Sequence, residues 1–465
     1  MIGGVYNSSD IKMDLYKLGV SGQHRGMESC GISVSNGGDF LILGGYGLVS
    51  NVFKEKIGDV DFKADRGTVH DRYSTTGSSC KNNVQPFKVG IYSLGHNGNL
   101  VNTEELREKY GKKYKLESTT DSEIIACILD DSESIVEGIE RVYKECIGSY
   151  NLAILNNRGE LAFFRDPWAV HPLFRGRKDN TVYVASEDNC IHALGVYDTK
   201  EFKPGELLVI SDKGEESIII GNEKQRRCFF EPIYFMSHGS THKKEVVMNI
   251  RKKCGRKLAE KYPVDADIIV PVLDSGMQYA KGYHEETNIP MEHALTKNHY
   301  VGRTYMSPEG KDEETPKSLQ MSRIEKVKLK NTPIPKIIKG KKIIVMEDSI
   351  VRSNTVRGIV EILYEAGAKE VHFRVASPPI DYPCFTGLDH AERRKLISAG
   401  CRNRSIEEIG KYVAEQTGAA SVGYLGIEDM KEVLNDENDH CFACIDGKYH
   451  FDIPDTEFFR NALSL

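Results

Sequence analysis

The sequence predicts an α+β domain followed by an α/β domain built on a parallel sheet, and three observations carry that reading. Up to about residue 220, short alternating runs such as "DFLILGGYGLVS", "LAFFRD", "TVYVASED" and "ELLVISD" stand between Gly, Asn and Asp turns, which is the pattern of half-buried strands. From about residue 243 apolar strand runs alternate with helical patterns, an order that needs crossover helices and a parallel sheet. A length of 465 residues is about three times the usual ~150 per domain, so two cores are expected, at 1–222 and 223–465.

In chain order, helical patterns near 11–22, 121–146 and 186–195 interrupt the strands of the first half. The second half opens on a helical pattern at 243–261, then the strands "ADIIVPV" and "KKIIVMEDS", a helix at 355–366 and the strand "EVHFRVAS". Between the first two of these strands lies "SPEGKDEETPKSLQMSR", too charged to bury and read as a loop or hood. From about 386 the chain reads as helical, ending in the turn-rich "HCFACIDGKYH".

Charged residues make up 28% and hydrophobic ones 40%, with a net charge of −6, so there is no basic field to attract nucleic acid. No apolar run approaches the ~20 residues that span a bilayer, and the opening residues lack the sections of a signal peptide. A cytoplasmic small-molecule enzyme with no membrane partner is expected. Eleven cysteines, an odd number, argue for buried thiols and a metal site rather than a secreted disulfide framework.

The most informative run is "KGKKIIVMEDSIVRSNTVRGIV". An apolar strand ends in the paired acids Glu347 and Asp348, passes through a small polar loop and enters a helix after Thr355. Backbone N–H groups at a helix start, with the hydroxyls of Ser349, Ser353 and Thr355, make an anion site, and the two acids suit vicinal hydroxyls. A phosphate beside a diol describes a ribose 5-phosphate, so the run resembles the phosphoribosylpyrophosphate (PRPP) signature of type I phosphoribosyltransferases. Read without that resemblance it is an ordinary strand-to-helix turn with solvated acids. A second loop, "VPVLDSGMQYAKGY", presents Asp274, Ser275 and Gly276 after the other strand, and "KNHYVGRTYM" offers Lys297 and Arg303 on a closing loop.

In this order the runs resemble the glutamine PRPP amidotransferase family, and the resemblance extends over nearly the whole chain through "QHRGMES", "HDRYSTTGSS", "LGHNGNLVN" and "TTDSE". It implies an N-terminal nucleophile-type glutaminase-like sandwich followed by a type I phosphoribosyltransferase domain. It implies PRPP contacts from Asp274, Ser275, Gly276, Lys297, Glu347, Asp348, Ser349, Arg352, Ser353, Asn354 and Thr355. Arg303 and Asp348 are the implied catalytic pair, with Asp348 organising Mg2+. In the first domain it implies that Arg72 holds the glutamine carboxylate, Asn97 and Gly98 form the oxyanion hole, and Asp121 holds the amino group. Homo-oligomers and feedback nucleotides are also usual in such a family.

The family's nucleophile is a cysteine whose own α-amino group is the base. The register of "GVYN" and "QHRG" puts that position at or just before Met1, where no thiol stands, and Cys30 in the "ESCGISVS" strand reads as a core thiol. The first domain is therefore expected to have lost glutamine hydrolysis while keeping a remnant of the pocket. Cys441 and Cys444 form a C-x-x-C pair, which alone fits half a zinc knuckle, a redox pair or two loop thiols. With Cys228 and Cys384, at places where cluster-bearing family members carry cysteines, the resemblance implies a [4Fe-4S] cluster, with zinc the competitor and Cys401 outside the set.

Three departures from the family pattern stand at Leu273 (usually proline), Met277 (commonly arginine) and Ser353 (glycine). Two functions follow: a PRPP-dependent transferase using ammonia or another small amine, or a degenerate relative that senses PRPP or nucleotides or partners an active enzyme.

Overall fold

Residues 1–73, 81–298, 323–388, 392–401 and 404–464 are described by the computed structural model of the chain. The alternating runs of the first half fold into two antiparallel sheets. One has seven strands, edge to edge Thr199–Glu201, Phe174–Lys178, Thr181–Ala185, Ile2–Tyr6, Arg66–Arg72, Ser29–Ser35 and Phe40–Tyr46; the other has six, Gly214–Ile219, Glu206–Ser211, Leu161–Phe164, Gly148–Asn156, Tyr92–Leu100 and Phe87–Val89.

The period of two decides which side each residue serves. Along Gly148–Asn156, Tyr150, Leu152 and Ile154 face the helices Ser122–Asp130 and Ile135–Glu145, whereas Ala153 and Leu155 join Ile2, Val182 and Val184 between the sheets. The helix Ile11–Gly22 covers the outer face of the seven-stranded sheet through Leu15 and Leu18. Four layers result, helix, sheet, sheet, helix.

The helical pattern at 121–146 is two helices rather than one, because Ser134 caps a new start by accepting from the Glu137 N–H. The pattern at 186–195 shortens to Asp188–His192, and that at 243–261 begins at Val247.

In the second half a four-stranded parallel sheet runs Ile268–Pro271, Lys342–Glu347, Glu370–Val375 and Ser421–Tyr424. The fourth strand corrects the reading of the tail as helical: "SVGY" is too short to show a period, and its pairing with Glu370–Val375 is what makes it a strand. Helices Val247–Lys261 and Gly276–Thr287 pack on one face, and Ser353–Glu365 and Ile406–Thr417 on the other. No described helix is long and apolar enough to cross a membrane. Nearly all of the polar insertion, at 307–322, lies outside the described residues, as does Arg303.

Candidate active sites

The strand Lys342–Glu347 delivers its last residue and Asp348 to the carboxyl edge of the parallel sheet, both buried. The Asp348 carbonyl is held by the Ser377 N–H (2.8 Å), and the Ser349 hydroxyl bonds to the Asp348 carboxylate. Burial, then the neighbouring Asp348 charge, pushes the Glu347 carboxyl well above its ordinary range. The helix that follows begins at Ser353, two residues earlier than the sequence indicates, with Arg352 at its N-cap and no side-chain capping bond. Its first N–H groups, at Ser353, Asn354 and Thr355, therefore have no intrahelical partner, the arrangement that receives an anion. Ser353 is not among the left-handed residues, so serine sits here without the strain that the departure from glycine implied.

The adjacent parallel strand, Ile268–Pro271, leads through Asp274 to a second helix start at Gly276, with Ser275 at the N-cap, again without a capping side chain. A Cβ on Gly276 would lie 2.3 Å from the Met346 carbonyl oxygen, so only glycine lets this loop close onto the phosphate-loop strand. Lys297 forms an ion pair with Asp274 across this loop. Two uncapped helix starts thus flank a pair of acids, which suits a substrate with phosphates at both ends of a diol-bearing ring.

A second site lies in the sandwich. Strand Arg66–Arg72 supplies Arg72, strand Tyr92–Leu100 supplies Asn97 and Gly98, and Asp121 stands at the N-terminal end of the helix Ser122–Asp130 without capping it, its Oδ2 accepting instead from the Leu100 N–H at 2.8 Å. All four line one small cavity of about 50 Å³ together with Met1. The Asn97 Nδ2 is buried with no hydrogen-bond partner among the described residues, a donor waiting for an acceptor. Arg72 Nη1 donates to Glu28 Oε1 (2.6 Å), which aims the guanidinium. The Met1 α-amino group donates to the Asp71 carbonyl at 2.6 Å.

Residues absent from the sequence reading complete this cavity: Arg25, His171, Glu231 and Gly387 also line it. Arg25 holds Glu231 through both carboxylate oxygens (2.6 and 2.8 Å) and Glu187 at 2.7 Å. The available signal was Glu231 itself, a lone charge inside "CFFEPIYF", since a carboxylate in an apolar run is buried only with a partner.

The four cysteines Cys228, Cys384, Cys441 and Cys444 converge. Cys228 and Cys441 are register neighbours in a short parallel pair, and the Cys444 carbonyl accepts from Asp381 and Tyr382. Burial raises all four thiols, Cys441 to about 12, and Cys228, Cys441 and Cys444 are each raised further by neighbouring cysteines of this set, Cys384 among them. Cys401 is set apart, its neighbours being Arg404 and Asp381. Cys30 is wholly buried in its strand, as the sequence indicated. A nearby trio, Asp436, Asp439 and His440, has ligand spacing, but Arg227 and Lys243 already neutralise Asp439 and the His440 ring pairs with Asp436, so it reads as an ion-pair network.

A glutaminase-type sandwich joined to a type I phosphoribosyltransferase sheet defines a phosphoribosyltransferase of the glutamine amidotransferase class. A family profile described as "Glutamine amidotransferase domain" matches residues 70–193. The amidophosphoribosyltransferase of Methanothermobacter thermautotrophicus is 37% identical over 96% of this chain and 92% of its own, and that of Methanocaldococcus jannaschii 37% identical over 92% of each. The solved structure of glutamine PRPP amidotransferase from B. subtilis, complexed with ADP and GMP, superposes with a TM-score of 0.84 at 31% identity, covering 98% of both chains. A second, described as the allosteric regulatory enzyme of purine biosynthesis, gives 0.85 at 31% identity, covering 100% of this chain and 99% of that one. The chain belongs to the amidophosphoribosyltransferase family.

Proposed function

We propose that this enzyme makes a phosphoribosylamine from PRPP and ammonia, or another small amine, with release of pyrophosphate, and that the 465-residue chain beginning at Met1 does not itself hydrolyse glutamine. The observation that carries the transferase reading is the pair of uncapped helix starts, Gly276 and Ser353, at the carboxyl ends of adjacent parallel strands with Glu347 and Asp348 between them. The 5-phosphate takes the N–H groups and hydroxyls of Ser353 to Thr355, the diol takes Glu347 and Asp348, and the pyrophosphate takes the amides of Asp274 to Gly276 with Lys297. The amine nitrogen attacks the anomeric carbon as the carbon–oxygen bond to pyrophosphate breaks, and the nitrogen then loses a proton. Asp348 would organise a Mg2+ bound with PRPP, which would supply charge neutralisation on the leaving group. Arg303, placed on the closing loop by the sequence, is assigned the same task.

In the sandwich, Arg72, Asn97, Gly98 and Asp121 are read as a glutamine pocket, with the unpartnered Asn97 amide as its oxyanion donor. The four-cysteine nest is read as the seat of a [4Fe-4S] cluster. A tetrahedral zinc, with bonds of about 2.3 Å, draws its sulfurs to within about 4 Å of one another. The same four thiolates would serve zinc, which remains the competing reading. Cys228, Cys384, Cys441 and Cys444 would hold such a cluster, which would supply folding energy by tying the tail to the segment between the two sheet systems. Purine nucleotides as feedback ligands, supported by the ADP and GMP in the B. subtilis relative, a homo-oligomer and a cytoplasmic setting complete the reading.

The test is PRPP consumption by purified protein with ammonium or with glutamine as nitrogen donor. Turnover with ammonium alone supports the reading. No turnover with either donor favours the second one, a PRPP- or nucleotide-sensing partner, for which the Lys297–Asp274 pair closing the pyrophosphate loop is the supporting contact.

A further inference from the structure

The glutamine pocket is not built by the sandwich alone. Glu231, Phe235, Gly387 and Leu388, all beyond residue 222, line it. We infer that His171 is the positioning residue that fixes this second wall against the first, an inference that rests on reading the cavity as a glutamine pocket.

The ring of His171 is 2% exposed at the residue level and bridges two segments that are far apart in sequence. Its Nδ1 lies 2.7 Å from Glu231 Oε1 and its Nε2 lies 2.6 Å from the Thr386 carbonyl oxygen. Both partners are acceptors, each facing one ring nitrogen, a bridge that no apolar ring of the same size makes. Glu231 is locked from its other side by Arg25, and the Thr386 carbonyl takes a second bond from the Ser149 hydroxyl at 2.7 Å.

What this latch positions is the peptide after Thr386. Gly387 has φ +112°, and a Cβ there would lie 3.4 Å from the Gly98 Cα and 3.1 Å from His171 Nε2. The wall therefore rests directly on the glycine of the candidate oxyanion hole. The backbone of His171 is tied to the same place from the other direction, because Asn151, which sits opposite Asn97 in the strand register, donates to the His171 carbonyl at 3.3 Å. Movement of the imidazole shifts the wall relative to Asn97 and Gly98, so His171 acts on glutamine through geometry and not by contact with the reacting atoms.

The experiment measures glutamine affinity by calorimetry, with fluorescence of Trp168, the chain's one tryptophan and three residues away, as a second signal. PRPP affinity is the control for global damage, and circular dichroism the control for folding. His171→Phe keeps the ring volume and removes both bonds, so glutamine affinity falls at least about tenfold; His171→Gln keeps one donor and falls between the two. Wild-type glutamine affinity in folded His171→Phe overturns the inference, as does equal loss of glutamine and PRPP binding. If the phenyl variant does not fold, His171→Gln carries the test, and unchanged glutamine affinity there overturns it equally. A wild-type protein that binds PRPP but no glutamine overturns the pocket reading itself, and the inference with it.

Discussion

The α-amino group of Met1 donates to the Asp71 carbonyl at 2.6 Å, inside the cavity lined by Arg72, Asn97 and Asp121. Burial is the main reason its pKa falls from 8.0 to about 6, against the pull of Asp71. Near neutral pH this amine is therefore largely unprotonated.

On the proposed reading the protein is expected to release no glutamate from glutamine above background, while ammonium supports PRPP consumption that rises with pH as free ammonia grows. A cysteine placed at the terminus, in place of Met1 or immediately ahead of it, is expected to bring glutamate release. Glutamate formation by the unaltered chain in step with PRPP loss shows that another nucleophile works there.

Anaerobically purified protein is expected to be brown and to carry about four irons per chain. Cys441→Ser or Cys444→Ser should bleach it and lower its melting temperature, because the nest loses a ligand and the tail its anchor, whereas Cys401→Ser should do neither. Iron analysis, absorbance and thermal melts decide, and stoichiometric zinc without iron removes the assignment.

Asp348→Ala is expected to weaken PRPP binding about 10- to 100-fold, the scale of losing a charged hydrogen-bond partner, measured by calorimetry with Mg2+ present. Unchanged affinity would mean that the 347–355 loop has been misread.

Glu347 supplies a pH signature. Its pKa is raised in the fold from an ordinary 4.5, so the folded protein holds a proton that the unfolded chain gives up, and stability falls as pH rises above about 4.5. Glu347→Gln should therefore melt higher than wild type at pH 7, by ~2–4 °C if about 1 kcal/mol is relieved, with the gap closing in acid. Binding of PRPP with Mg2+ to the wild type should release a proton and tighten with pH. Calorimetry in buffers of different ionisation enthalpy measures this, and Glu347→Gln should abolish it.

Glu231 tests the contact between the two halves. Burial opposes its charge, yet Arg25 and His171 hold its carboxyl down to about 2, so the pair persists across the working pH range and is lost only as pH falls toward that value. Glu231→Ala leaves the buried Arg25 guanidinium, 4% exposed, with Glu187 as its remaining carboxylate and takes the partner from His171 Nδ1, and is expected to cost about 3 kcal/mol in a denaturant titration.

Whereas the four-cysteine set and the four candidate glutamine contacts came from the resemblance to the family, local pattern by itself determined the two sheet systems and the phosphate loop with its paired acids, because alternation and helix-start chemistry are written within about ten residues of chain. It did not reach the helix start at Ser353, the break at Ser134 or the strand at Ser421–Tyr424, whose boundaries rest on capping and pairing. Only the tertiary structure decided that Glu231 and Thr386 meet at His171, 60 and 215 residues away, and that Glu28 aims Arg72. The physical reason is that these contacts satisfy buried donors and acceptors left over once the sheets have packed, and a leftover group carries no periodicity to announce its partner.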